Sequence, residues 1–155
     1  MNTIRELIIQ QFVARAAVMR TSSPWSGYGT NIGATIFRER GKIDPSDLPC
    51  TVIWPQTETS EKTHGAERLQ MMVQVDGMAK FGSSDPSVMS EQILGDLRKA
   101  FTAPGWFEGP PKYIEAVAYQ SGGKSQAMDD GALAVGMAAR FVVTYWTQTG
   151  DPYTQ

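Results

Sequence analysis

The sequence predicts an α+β domain, with two helices packed on one face of a mostly antiparallel four-stranded sheet. Three patterns carry that prediction. Residues 135–147 alternate apolar and non-apolar side chains, with Val135, Met137, Ala139, Phe141, Val143 and Tyr145 on the odd positions, the period of a half-buried strand. Ile4, Leu7, Ile8, Phe12, Ala16 and Met19 recur at three- and four-residue steps, the stripe of an amphipathic helix. Asp85-Pro86 opens a second such stripe, made of Met89, Ile93, Leu94, Leu97 and Phe101.

With 155 residues and 41% hydrophobic content, the chain fits one domain spanning 1–155, with residues 150–155 as a C-terminal tail. The net charge is only -2, yet residues 1–42 carry six bases against two acids and residues 43–120 carry six bases against eleven acids. That asymmetry suits polar contact between neighbouring copies better than a nucleic-acid face, which needs a denser basic patch. A single cysteine, Cys50, excludes an intrachain disulfide framework and fits a reducing compartment. Gln10, Gln11 and Arg15 interrupt the only early apolar run, and no window approaches 18 uninterrupted apolar residues, so neither a secretory signal nor a membrane span is expected.

Along the chain, Thr3 reads as the N-cap of the first helix with Glu6 completing a capping box, and the helix is expected to fade near Arg20. Residues 21–29 form a loop carrying Trp25 and Tyr28. A weak extended segment at 34–38 leads into an Asp44-Pro45 turn and a short buried strand at 50–54, stopped by Pro55. The apolar-poor stretch 56–65 reads as a mobile hairpin loop. A second strand alternates from Leu69 to Asp76 and continues to Phe81, with Gly77 marking a bulge. The second helix ends at Pro104-Gly105, a third strand covers 113–120, and 121–131 is a loop rich in Gly, Ser and Asp.

No catalytic constellation emerges. His64 is the only histidine, has no metal-spaced ligand beside it, and reads as a solvated loop residue. Cys50 reads as a small packed hydrophobe. Gly27, Gly29 and Gly33 follow a helix instead of a strand and lack the lysine of a phosphate loop. Asp129 and Asp130 read as solvated turn residues, with an acid–base or cation pair as the alternative. No cofactor and no metal is expected.

The informative feature is the other face of the final strand. Gly136, Ala138, Arg140, Val142, Thr144 and Trp146 place one charge on a face that water should cover. At ~3.3 Å per residue the strand runs roughly 43 Å, long for a single domain. Met72 and Met78 lie on the matching face of their own strand, either as tolerated exposed hydrophobes or as contacts to a neighbouring subunit. Together with Trp146, Thr144, Val142, the tail residue Tyr153, and the loop aromatics Trp25 and Tyr28, they form the candidate subunit interface. Trp25 and Tyr28 have core capping as the alternative.

Several phrases carry a resemblance. They are the helix 3–20, the segment Thr30-Asn31-Ile32-Gly33-Ala34-Thr35-Ile36-Phe37, and Leu48-Pro49 leading through Cys50 to Trp54-Pro55. The strand 67–81, the Asp85-Pro86-Ser87 helix start with Gln92-Ile93-Leu94-Gly95-Asp96-Leu97, and the closing strand with Gly150-Asp151-Pro152-Tyr153 complete them. In size, element order and these phrases the chain resembles the tail terminator, or tail-completion, proteins of long-tailed bacteriophages. The resemblance implies a non-enzymatic virion protein at the head-proximal end of the tail, assembled in the host bacterial cytoplasm, with no membrane contact. It implies a ring, hexameric in such proteins, that caps the tail tube, ends tube polymerisation and joins the tail to the head connector or stopper protein. Viral DNA then passes transiently through the lumen. In that reading the polar loops 56–65 and 121–131, with Lys62, His64, Asp129 and Asp130, make axial contacts, while Arg68, Lys80 and Lys124 face the lumen. The alternatives are another neck, head-completion or tail-tube protein, or a small ligand-binding or enzymatic α+β domain.

Overall fold

Each predicted helix forms, and each is set by its cap. In a computed structural model, which describes residues 1–22, 24, 27–107, 114–125 and 133–155, α1 spans Ile4–Ala16 and the Thr3 hydroxyl accepts from the Glu6 N–H at 3.1 Å. The expected capping box is not closed. The Glu6 carboxylate instead takes two hydrogen bonds from the Arg38 guanidinium, at 2.8 and 2.9 Å, which tie the helix to the sheet edge. The helix also stops at Ala16 and not near Arg20. Val18 and Met19 remain buried in a following turn, so the apolar stripe outlasts the helix. Gly33 allows that turn to close: its N–H donates to the Met19 carbonyl at 3.0 Å, and a Cβ there would lie 2.4 Å from the Ala16 carbonyl oxygen.

Five strands, where four were expected, form the sheet of the described residues, and one pairing is parallel. The strands are β1 (Ile36–Arg38), β2 (Cys50–Thr63), β3 (Ala66–Lys80), β4 (Ile114–Lys124) and β5 (Ala134–Gln148), in the order β1-β2-β3-β5-β4. The weak extended segment before Arg38 becomes β1, which pairs in parallel with Thr51, Val52 and Ile53. All other pairings are antiparallel.

Pro55 does not end β2. A register shift between Pro55 and Glu58 absorbs the residue that lacks an N–H, and the strand resumes against β3 through Thr63. The stretch read as a mobile loop is therefore most of a β-ribbon, with its turn at His64 and Gly65, where Gly65 supplies φ +76°. Gly77 lies in regular register between Thr51 and Met137, so the bulge sits in β2 and not at Gly77. A Cβ on Gly77 would come 2.7 Å from Ile32 and 2.8 Å from Ile93, so close packing explains that glycine. Ser121 to Lys124, expected in a loop, extend β4. Tyr113, the expected start of that strand, lies outside the described residues, as do 126–132.

The second helix, α2, spans Pro86–Thr102 with the Asp85 carboxylate accepting from the Ser87 N–H at 2.8 Å. Both helices pack on the odd face of β5. Phe12, Phe101 and Phe141 meet there, with Phe12 stacked on Phe101 at 5.0 Å, and side chains of this size each contribute ~1.5–3 kcal/mol on full burial. A second, smaller cluster of Cys50, Val52 and Met78 lies on the opposite face, covered by Phe37, Ile43, Leu48 and Trp54. The chain between β1 and β2, which includes a 3-10 turn at Pro45–Asp47, thus wraps one end of the sheet face that neither α-helix covers.

Candidate functional site

The helix-free face is read most directly as rows of facing residues across the sheet. From the wrapped end the rows are Val52–Asp76–Ala138–Gly123, then Trp54–Gln74–Arg140–Ser121. Met72–Val142–Ala118 and Thr59–Gln70–Thr144–Ala116 follow, and Glu61–Arg68–Trp146 closes the far end. Neutral, mostly small side chains fill the middle, and charged networks bound both ends.

At the far end the Trp146 indole N–H donates to Glu115 at 3.0 Å, and the Arg68 guanidinium donates two bonds to the same carboxylate, each 3.1 Å. The Arg68 hydrogen bond holds the Glu115 carboxyl below its ordinary value. Trp146 is therefore half-buried with its polar edge oriented and its ring lying on the open face. At the wrapped end, Asp76 is 3% exposed and accepts from Gln74 Nε2 at 2.9 Å and Ser125 Oγ at 3.1 Å. Gln74 Oε1 in turn accepts from Gln56 and from Arg140 Nε, both at 3.2 Å. Burial pushes the Asp76 carboxyl up, with Gln74, Ser125, Trp54 and Arg140 acting the other way. An open cleft of about 380 Å³ lies over this network, lined by Trp54, Gln56, Gln74, Asp76, Lys124 and Arg140.

Met72 and Val142 are half-buried on the face, as its composition predicts. Thr144, at 6% exposure, is covered within the chain. Met78 leaves the candidate interface altogether, because it is fully buried beneath Phe37 and Leu48. Tyr28 packs against the main core with Lys99 Nζ 4.8 Å from its ring centre, so it caps the core. That loop is pinned by Asp96, whose carboxylate accepts from the Gly29 and Thr30 N–H groups at 2.9 and 2.8 Å and from the Thr30 hydroxyl at 2.6 Å. Tyr153 is 45% exposed on a tail held to α1 by a bond from the Ile4 N–H to the Pro152 carbonyl at 2.9 Å. Trp25, Asp129 and Asp130 lie outside the described residues.

The expected axial and lumen residues do not form one group. Lys62 and His64 are exposed at the ribbon tip, near Arg68, whereas Lys80 and Lys124 sit at the opposite ends of their strands. Two residues of this surface carried a readable signal that the sequence reading left unused. Glu115 and Asp76 are acids on strand positions that alternate with apolar ones, the pattern expected when a charge faces away from a core.

A second open cleft, of about 340 Å³, lies on the helix side between α1, the ribbon and the tail, lined by Thr3, Arg5, Glu58, Glu67, Tyr145 and Asp151. The bulge after Pro55 turns Glu58 towards the helices, where it accepts from the Tyr145 hydroxyl and from Arg5 Nη1 at 3.1 Å. Burial pushes the Tyr145 phenol far up and its bond to Glu58 adds to the shift, so the hydroxyl keeps its proton and acts as a tether. The Cys50 thiol is fully buried and pushed up to about 11 by that burial, which leaves little thiolate for chemistry at neutral pH.

No protein-family model matches the chain, and comparison with curated proteins finds no match either.

Proposed function

We propose that this chain is a structural subunit that assembles with copies of itself into a ring capping a phage tail tube. On this reading the ring is hexameric, ends tube polymerisation, joins the tail to the head connector and lets DNA through its lumen. The observation that carries the self-association is the helix-free face of β5. Its middle rows present Met72, Val142, Ala116 and Ala118, while both ends are fixed by charged networks, a surface suited to another protein face more than to bulk water. The tail-terminator assignment itself rests on the resemblance of the sequence phrases.

Closed rings use heterologous contacts, in which two different patches of one subunit meet across each interface. A terminator attaches to tube ends without polymerising alone. The test is to delete the gene from the phage that carries it and image the particles. Tails of uncontrolled length, or tails unable to join heads, are expected, and normal joined tails would sink the reading. Negative-stain images of the purified protein separate the neighbouring assignments: discrete rings fit a terminator, and long tubes fit a tube subunit.

A further inference from the structure

Among the described residues neither long edge of the sheet has a further strand partner along most of its length, and the two edges differ in kind. On one side β1 covers only Thr51 to Ile53 of β2, so residues 54–63 form an edge without a described partner, and 56–63 are all exposed. This edge carries the usual guards against unwanted pairing: Pro55, a bulge, and the charges Glu58, Glu61 and Lys62. On the other side β4 is the outermost strand, and only Ile114 of its 11 residues is buried. Between Ala116 and Gly123 it has no charge and no proline, so apart from register shifts at Ile114/Ala116 and Tyr119/Ser121 its free edge carries none of these guards.

We infer that the free edge of β4 pairs with the free ribbon edge of β2 in a second copy of this chain, extending the sheet from subunit to subunit. Strand direction supports the match. β2, β3, β5 and β4 alternate in direction, so β2 of a like-oriented neighbour runs antiparallel to β4, as an antiparallel ladder requires. Length supports it too, because the free stretch 54–63 is close to that of β4. Pairing two β4 edges about a two-fold axis would leave the ribbon edge unsatisfied in both copies. Main-chain bonds then supply affinity, and the guards on β2 restrict which edge it accepts.

Charge constrains the register. With strand ends aligned, Ile114 of one copy faces Thr63 of the next, Glu115 faces Lys62 in a favourable opposite-charge pair, and Ala118 faces Thr59. The inference rests on the self-assembling reading above, and deepens it by naming the two edges that meet.

The test uses the full chain with two single variants, Ala118→Cys on β4 and Thr59→Cys on the ribbon, both at exposed positions. Cys50 is fully buried and gives little background. Each variant, alone and mixed, is treated with a short bismaleimide and sized by gel, with oligomer measured by sedimentation. A dimer band in the mixture and none in either variant alone is expected. A band from Ala118→Cys alone would show like edges pairing and would overturn the inference. An oligomer by sedimentation with no band in the mixture would overturn it while leaving the ring reading intact. A monomer at every concentration would overturn both. A third variant, Ala118→Lys, should lose the oligomer with unchanged thermal unfolding of the monomer, and retention of the oligomer would count against the edge.

Discussion

At the scale of single residues, Asp76 shows what the helix-free face requires of the chain. Its carboxylate sits within β3, four residues before the strand ends at Lys80, and it is buried by Gln74, Ser125 and the wrapped end of the face. Burial raises its pKa above 3.8, so the folded chain holds this proton at pH values where the unfolded chain has lost it. Stability therefore falls as pH rises through the interval from 3.8 up to the folded value, and the full cost of ionisation is present above it. Asp76→Asn keeps an acceptor for Gln74 and removes the charge. The variant should lose this pH dependence and match or exceed the parent at neutral pH, as measured by urea midpoints across the acid range. Parallel curves for the two proteins would place the titration elsewhere. The residue was visible in the sequence only as a polar member of an alternating strand. Its burial depends on Ser125 and on the segment between β1 and β2, contacts that no local pattern encodes.

At the scale of elements, the β2–β3 ribbon is the clearest case of structure held by pairing and tethers without burial. Residues 56–63 are exposed, and Arg5 of α1 fixes their base with a bond from Nη2 to the Gln56 carbonyl at 2.6 Å and from Nη1 to Glu58 at 3.1 Å. Arg5→Ala should speed amide hydrogen exchange across 56–63 and lower stability by only about 1 kcal/mol, since Arg5 is a third exposed. Unchanged exchange would mean that the ladder to β3 holds the ribbon unaided. The same physics explains which elements were legible. α2 and β5 were, because their apolar periods are strong and Asp85-Pro86 marks a helix start. The ribbon was not, because Gln56 to Thr63 lack the apolar alternation that identifies a half-buried strand, and Pro55 reads as a stop until a bulge accommodates it. β1 has three residues and takes its identity from the strand beside it. Of the candidate surface, the under-polar composition of β5 was legible. The burial of Met78 was not, since Phe37 and Leu48 reach it from a segment without a period.

At the scale of the whole molecule, the sheet divides the protein into a core side, where both helices lie, and an open side whose rows run from Trp54 to Trp146. The odd face of β5 closes the core, so it says little about function. On the proposed self-assembling reading the even face is the contact surface, and Trp146 is its largest side chain, oriented by Glu115 and Arg68 at the end where β4 begins. A ring subunit would place that ring close to its neighbour's edge, because Glu115 belongs to the outermost strand. Trp146→Ala removes the ring and leaves Glu115 still paired with Arg68. The oligomer should then weaken far more than the monomer fold, with dissociation moved to higher protein concentration in sedimentation and a small change in the urea midpoint measured on dilute monomer. The asymmetry follows from position: Trp146 is only half-buried within one chain, so the fold loses part of a side chain's burial, whereas an interface that covers it loses an aromatic anchor, for which truncation costs ≳ 2 kcal/mol at a well-packed centre. Equal losses in both measurements would return Trp146 to an ordinary role in the sheet and move the contact surface to the strand edges alone.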